Sequence, residues 1–550
     1  VAPIYEELIA EHGVADVLVL KRFPTGIETF TDRLAAAIPG IERPRVEALT
    51  QHSASLLQAT PEPPTRLDDL ERGELGHTFL ETTDWTAPYL AQAAAYDAFA
   101  TDLLRLTNIL TWQDQTLETS HEALAEIGDH HRAFQKWLSE HGYIERGAIV
   151  PSVTKHLANG EVDDQAIDFE AVLVIEYEEF AEIDRRYLAN LVDQASCELV
   201  CVTESNSSIQ RVWNEPGTVE DTVTGTATDD LTTESVEVRA DAVARYLATN
   251  EAPSDPGSGY VGVIHEPTFA DQVRTVTDEI ERLREKHGWA YDDFAIGFRD
   301  SNEPISETIQ ILHQAGIPTA STSVTGFSDD PAVRELGYVV EYLATGEDMA
   351  RDRLTVGTVT NVESVFETLQ TEDDSLEATL RNWALQTNLK QRIAAEHEPL
   401  EARAQFSNVR SVFELAGFLD STPLIEATWP ALAAAVERAF KNAATEVQTA
   451  EVDVKEDGVL VDAVRVMKNA EWKAVFMLNC VEGTYPADPS LTSLFPTQEV
   501  ASMPAYPGVT ALSEDDVRET FPTATGPDAD TIHDPFMRYY QELSRRQLAV

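Results

Sequence analysis

FAIGFRDSNEPISETIQILHQAGIP, residues Phe294–Pro318, is the stretch on which the fold turns. Phe294–Phe298 is a short apolar run, the length of a buried strand. Polar residues follow, and from Ser306 the pattern becomes helical until Gly316-Ile317-Pro318, where Gly and Pro stop it. A strand that hands over to a helix is one unit of an α/β fold. Upstream, Tyr260–Ile264 (YVGVI) reads as another strand and Phe269–Lys286 as its helix. Downstream, residues 345–447 read as helices, and Val459–Val466 and Ala474–Leu478 return to strands.

The first half of the chain repeats this plan. Val17–Leu20 (VLVL) reads as a buried strand, followed by Gly26 and a helix over Glu28–Ala37. Long amphipathic patterns, such as Tyr89–Leu110 and Thr119–Leu138, then mark a helical insertion. Ala171–Ile175 and Glu198–Val202 restore the strand–helix alternation. Glu215–Glu237, rich in Thr, Asp and Gly and without periodicity, reads as a linker. The expected organisation is therefore a first α/β lobe from residues 1–50 and 166–225, interrupted by a helical insertion at 51–165. A second lobe, 226–344 and 448–550, is interrupted at 345–447.

Composition bounds the function. The 550 residues are 43% hydrophobic, enough for several domains with substantial cores. No run of eighteen apolar residues exists, so no membrane span is expected. Forty basic and 96 acidic residues give a net charge of −56, with the acids spread along the chain and Lys much scarcer than Arg. That balance is similar to proteins of salt-in halophiles, where carboxylates hold water and counterions. Ordinarily it argues against nucleic acid. In molar salt the argument weakens, because fields are screened within a few ångström. Cys197, Cys201 and Cys480 are too few for a four-Cys zinc or iron–sulfur site. Asp129-His130-His131 has no second ligand cluster nearby in sequence and reads as a polar helix surface. Val1 stands where a start Met is expected and no signal-peptide pattern follows, so a trimmed cytoplasmic chain is expected.

The doubled layout resembles the UvrD/RecB-like superfamily 1 DNA helicases, including the degenerate AddB-type subunits of helicase–nuclease complexes. Val17–Ala35 (VLVLKRFPTGIETFTDRLA) is similar to that family's strand with a Thr-Phe-Thr segment. Val172–Phe180 (VLVIEYEEF) is similar to its Walker B strand and Asp-Glu-Phe-Gln-Asp, with Ile175 on the first Asp, Glu176 on the Glu and Tyr177 on the Phe. Read by itself, the same stretch is a buried strand before an acidic helix start. Thr203–Trp213 (TESNSSIQRVW) resembles the γ-phosphate-sensing segment, with Ser207 in place of its Gln. Arg299 matches an Arg that contacts the γ-phosphate. Val464–Pro486 resembles a motif in which Lys468, Glu471 and Trp472 match, and Asn469-Ala470 replaces Gly-Leu. Glu542, Arg545 and Arg546 match the last motif, and the sequence ends just before that motif's Thr-Arg.

The resemblance implies two RecA-like P-loop NTPase-type lobes, ATP and Mg²⁺ between them, and translocation on single-stranded DNA in repair or recombination. Glu176 would be catalytic. Arg299, Glu471, Arg545 and Arg546 would contact nucleotide, and Trp213, Lys468 and Trp472 would contact DNA. No G-x-x-x-x-G-K-[ST] occurs in the 550 residues; the family places it before the position of Val1. Ile175, Ser207 and Asn469 point to the alternative within the family, a scaffold that binds DNA beside a second helicase or nuclease subunit. Asp462, Glu471 and Lys473 also fit a short D…(D/E)-x-K nuclease pattern. Two expectations of geometry follow. Val172–Ile175 and Glu198–Val202 are parallel neighbours in one sheet, while Phe294–Phe298 and Ala474–Leu478 share another. Glu176, Arg299 and Glu471 face one groove.

Overall fold

The computed structural model describes residues 1–202 and 260–484, apart from positions 25, 39, 41–42, 95, 113, 115–121, 178–179, 181, 300–303, 321–326, 329, 357–361, 370–374, 397–398, 442–457, 468–471 and 482–483. It is mixed α/β, mostly helical, with small parallel sheets.

The first sheet has the order β2-β1-β5-β6, all parallel, built from β1 (Val17–Lys21), β2 (Arg45–Ala48), β5 (Ala171–Val174) and β6 (Glu198–Cys201). Ala171 stands opposite Glu198 in that register, the expected neighbouring pair. β1 and β5 are buried along their whole length. Continuous apolar runs of this kind belong in a parallel sheet covered on both faces. Helices α1 (Ala2–His12) and α2 (Ile27–Ala37) cover one face, packing Tyr5, Leu8, Leu34 and Ile38 onto Val17, Val19, Leu173 and Ile175. Helices α3 (Leu49–Gln58), α8 (Ile149–Asn159) and α9 (Glu182–Ala195) cover the other, where Leu18, Leu20, Val172 and Val174 point.

Between α3 and α8 the chain is mainly helical. Helices α4 (Asp69–Glu81), α5 (Pro88–Ala93), α6 (Asp97–Trp112) and α7 (Glu122–Glu140) pack with a two-stranded parallel ribbon, β3 (Thr65–Leu67) and β4 (Tyr143–Glu145). At Gly76 the α4 backbone lies so close to α6 that an added Cβ would come within 2.4 Å of Leu104.

The second sheet has the order β8-β7-β9, also parallel, with β7 (Phe294–Phe298) central between β8 (Leu460–Ala463) and β9 (Ala474–Met477). Phe294 is opposite Ala474, again as expected. Helices α10 (Phe269–His287) and α11 (Ile305–Gln314) pack on it through Val273, Val276, Ile280, Ile309 and Leu312. After α11 the chain passes Gly316 in a left-handed conformation (φ 80°), and Thr319 bridges to Val459 alongside β8.

Two strand expectations need correction. Tyr260–Ile264 forms no strand, and Tyr260, Val261 and Val263 are exposed at 89%, 78% and 92%. The run has apolar residues but no partner strand among the described residues, and composition alone cannot supply one. Val459–Val466 is strand only over Leu460–Ala463; Val464–Met467 tightens into a 3₁₀ turn.

The remaining helices, α12 (Pro331–Thr345), α13 (Asp348–Val356), α14 (Val362–Leu369), α15 (Leu376–Gln386), α16 (Leu389–Glu396), α17 (Pro399–Ser421) and α18 (Trp429–Lys441), form one helical core. Leu336, Val340, Trp383, Val412, Leu415 and Leu432 lie at its centre. This helical unit touches the first insertion directly. Arg438 of α18 pairs with Glu74 of α4, Tyr143 donates to Thr422 (3.1 Å), and Phe418 packs among Leu67, Leu75, Phe134 and Leu138.

Candidate functional site

In open parallel sheets, ligands bind beyond the carboxyl ends of the strands. At that edge of the first sheet, β1 ends in Lys21 and β5 runs on through Ile175 to Glu176. The Ile175 N–H donates to the Leu20 carbonyl (3.0 Å), so the strand pairing persists one residue past β5. The next N–H but one, that of Tyr177, donates to the Val202 carbonyl (3.1 Å). To make both bonds the chain turns at Glu176, which adopts φ 56°, a left-handed conformation unusual for a residue with a Cβ. Such a conformation costs on the order of 1–3 kcal/mol and persists only where its surroundings impose it.

The turn brings the Glu176 carboxylate to Lys21. Nζ lies 3.6 Å from Oε1, and the two side chains are only 8% and 9% exposed. The same ammonium lies 5.5 Å from the centre of the Phe30 ring. One residue on, Arg22 Nε lies 2.5 Å from Asp184 Oδ2 of α9, and Asp184 is 2% exposed. Arg185 sits over the Tyr177 ring at 5.6 Å, and burial raises the Tyr177 hydroxyl well above its ordinary pKa. Two ion pairs therefore tie the end of β1 to the end of β5 and to α9. Phe23 stands beside them on the solvent side, 44% exposed, with the Arg22 guanidinium 5.0 Å from its ring.

Ile175 presents only hydrocarbon here. It is 2% exposed and packs in the layer of Val17, Val19, Leu34 and Ile38, level with Lys21 in the register of β1 and β5. A magnesium site needs several oxygen ligands in near-octahedral array. At this turn the first position is packed hydrocarbon and the second carboxylate already holds an ammonium. Among the described residues that donor set does not fit Mg²⁺.

In the second sheet, Arg299 directly follows β7 at its carboxyl end and is half-buried. Trp472 is half-buried too, packed with Ala295, Ala320, Leu460, Val464 and Met467. Gly297 explains the closeness of this packing, since an added Cβ would lie 2.9 Å from Met477 Sδ and 3.0 Å from Met467 Sδ. Lys468, Glu471, Trp213, Arg545 and Arg546 lie outside the described residues, as do Ser207 and Asn469.

The nuclease-like trio is divided. Asp462 stands opposite Gly297, whereas Lys473 precedes Ala474, the partner of Phe294. Four strand residues separate the levels of Asp462 and Lys473, about 13 Å at the usual rise. Lys473 moreover pairs with Asp293 at the amino end (2.8 Å). Asp129 and His131 part in the same way: Asp129 pairs with Arg132 at the surface and His131 is buried. Among the described residues, the one group of side chains with metal-compatible spacing is Glu11, His12 and Glu198, at the amino-terminal edge of the first sheet. There the His12 ring lies between Glu198 (2.9 Å) and Glu170 (3.4 Å), and the hydrogen bond to Glu198 raises its pKa. Burial raises the Cys197 thiol to about 11 and the Cys201 thiol to about 12, which leaves both as packing residues.

Sequence reading found Glu176 but missed Lys21, Arg22 and Asp184. The signal present was a Lys-Arg pair directly after an unbroken apolar run. Its partners, 155 and more residues away, cannot be read from local pattern. No family model matches the chain, and no curated protein matches it in sequence.

Proposed function

We propose that the chain is a UvrD/RecB-like helicase core that has lost metal-dependent hydrolysis in its first lobe and serves as a DNA-binding scaffold beside a catalytic helicase or nuclease subunit. The observation that carries this reading is the buried Lys21–Glu176 pair next to a fully packed Ile175. In a hydrolysing member, the residue matched by Ile175 holds Mg²⁺ and the one matched by Glu176 polarises water. Here one is hydrocarbon and the other is neutralised.

The wider layout supports the family part of the proposal. Two parallel sheets, each interrupted by helices, place Glu176 and Arg299 at strand carboxyl ends, where nucleotide-handling residues of RecA-like lobes sit. The strand that resembles the Thr-Phe-Thr segment lies beside the Walker B-like strand. Phe23, exposed at this edge, and the half-buried Trp472 are two described aromatics that stack bases in this reading, with Trp213, Lys468, Glu471, Arg545 and Arg546 as further family-implied contacts. In this reading the protein acts on single-stranded DNA in the cytoplasm. Among the described residues no helix is long and apolar enough to cross a membrane.

The test is ATP hydrolysis with and without single-stranded DNA in molar KCl, comparing the wild type with Glu176→Gln. The expected result is no turnover that depends on Glu176. Robust DNA-stimulated hydrolysis abolished by Glu176→Gln would favour the ATP-driven helicase instead.

A further inference from the structure

We infer that Lys21 is a resident cation that takes the place of a divalent metal at the Glu176 turn, so that this carboxylate is closed to metal. The inference rests on the reading of this edge as a degenerate nucleotide site and specifies how the site was closed.

Three observations converge. The Lys21 ammonium reaches Glu176 from the adjacent parallel strand, 3.6 Å away, with both side chains less than a tenth exposed. The carboxylate cannot swing off to another partner cheaply, because its backbone is fixed by the Ile175 to Leu20 and Tyr177 to Val202 bonds and by φ 56°. The neighbouring side chain, Ile175, level with Lys21 in the sheet register, packs among Val17, Val19, Leu34 and Ile38 and offers no second oxygen.

A metal on Glu176 would sit within a few ångström of a buried ammonium. Like charges at that separation, shielded from water, repel strongly enough to weaken a divalent cation on the order of a hundredfold or more. Displacing the lysine does not relieve this, since the sheet holds β1 in place and the Phe30 ring favours the ammonium where it is. The pair also explains why a carboxylate is retained at a turn that no longer serves a metal: it neutralises Lys21, and a lone buried charge at either position is costly.

The experiment is a Mn²⁺ titration in molar KCl, with free Mn²⁺ read by electron paramagnetic resonance. Wild type, Lys21→Met, Glu176→Gln and the double variant are compared, with folding checked by circular dichroism. Wild type and Glu176→Gln are expected to bind equal amounts of Mn²⁺. Lys21→Met is expected to gain one site, lost again in the double variant. One more site in wild type than in Glu176→Gln overturns the inference, as does a folded Lys21→Met that gains none. The double variant removes both charges of the pair and is the baseline if a single variant fails to fold: equality with wild type supports the inference, and an excess in wild type overturns it. DNA binding is scored separately on the wild type without metal. Its loss removes the proposed function and leaves the metal comparison standing.

Discussion

A single position, 175, carries much of the chemistry. If it were merely a lapsed metal ligand at an open edge, restoring a carboxylate would be harmless. The packing says otherwise. Ile175 is surrounded by Val17, Val19, Leu34 and Ile38, so Ile175→Asp is expected to destabilise the chain by about 3–5 kcal/mol, because the new carboxylate enters an apolar layer where the nearby ammonium, Lys21, already pairs with Glu176. It is not expected to create Mg²⁺ binding. Chemical denaturation in molar KCl with and without Mg²⁺ measures both. A well-folded variant that Mg²⁺ stabilises would mean that position 175 faces the edge after all. The sequence placed Glu176 correctly at a strand end and showed that Ile175 cannot ligate. It could not show Lys21 as partner, because alternation along a strand assigns faces only once the covering helices are known.

At the scale of elements, helix ends hold the clearest tests. Asp330 is fully buried and caps α12 by accepting from the Ala332 N–H (2.8 Å), while Asn408 of α17 donates to its other oxygen (3.0 Å). Asp330→Ala removes a cap and a hydrogen bond from the buried Asn408 amide, an expected loss of about 2–4 kcal/mol in denaturant unfolding. At the start of α4, Asp68 and Glu71 cap each other through backbone bonds (2.7 and 2.9 Å). Burial first, then the charge of Asp68, raises the Glu71 carboxyl to about 7. The folded chain thus keeps a proton that the unfolded chain releases near its ordinary value of 4.5. Stability from this group is complete below that value and is lost as pH rises to about 7, by up to about 3 kcal/mol. Glu71→Gln is expected to flatten that slope between about pH 5 and pH 8. An unchanged slope would assign the proton elsewhere.

Elements were legible where pattern and environment agree. β1, β5 and β7 are unbroken apolar runs because both of their faces are covered. YVGVI has the same composition and failed, since what makes a strand is a neighbour to pair with, and that information is not local. The short β3–β4 ribbon was missed for the complementary reason. Its three-residue strands, TRL and YIE, mix polar and apolar residues and carry too little pattern to stand out inside a helical segment.

For the whole molecule, the contact between the two helical units and the −56 charge matter most. Arg438 and Glu74 join the units, and Glu74 is nearly buried, so Arg438→Ala is expected to weaken that contact more than an exposed pair would. For the proposed DNA binding, charge decides the manner. A surface this acidic offers few phosphate contacts, and those would be weakened by salt. Stacking on aromatics is less salt-sensitive and contributes about 1–3 kcal/mol per base. Phe23, exposed and seated beside Arg22, is the residue on which this can be tried without disturbing a core.

The most direct measurement is therefore a fluorescence anisotropy titration of a short single-stranded oligonucleotide across a range of molar KCl, with wild type and Phe23→Ala. The account predicts binding that persists in high salt with a shallow salt dependence, weakened roughly tenfold in the variant, in line with the loss of one stacked base. Absence of binding at every salt concentration, with the protein folded, would contradict it.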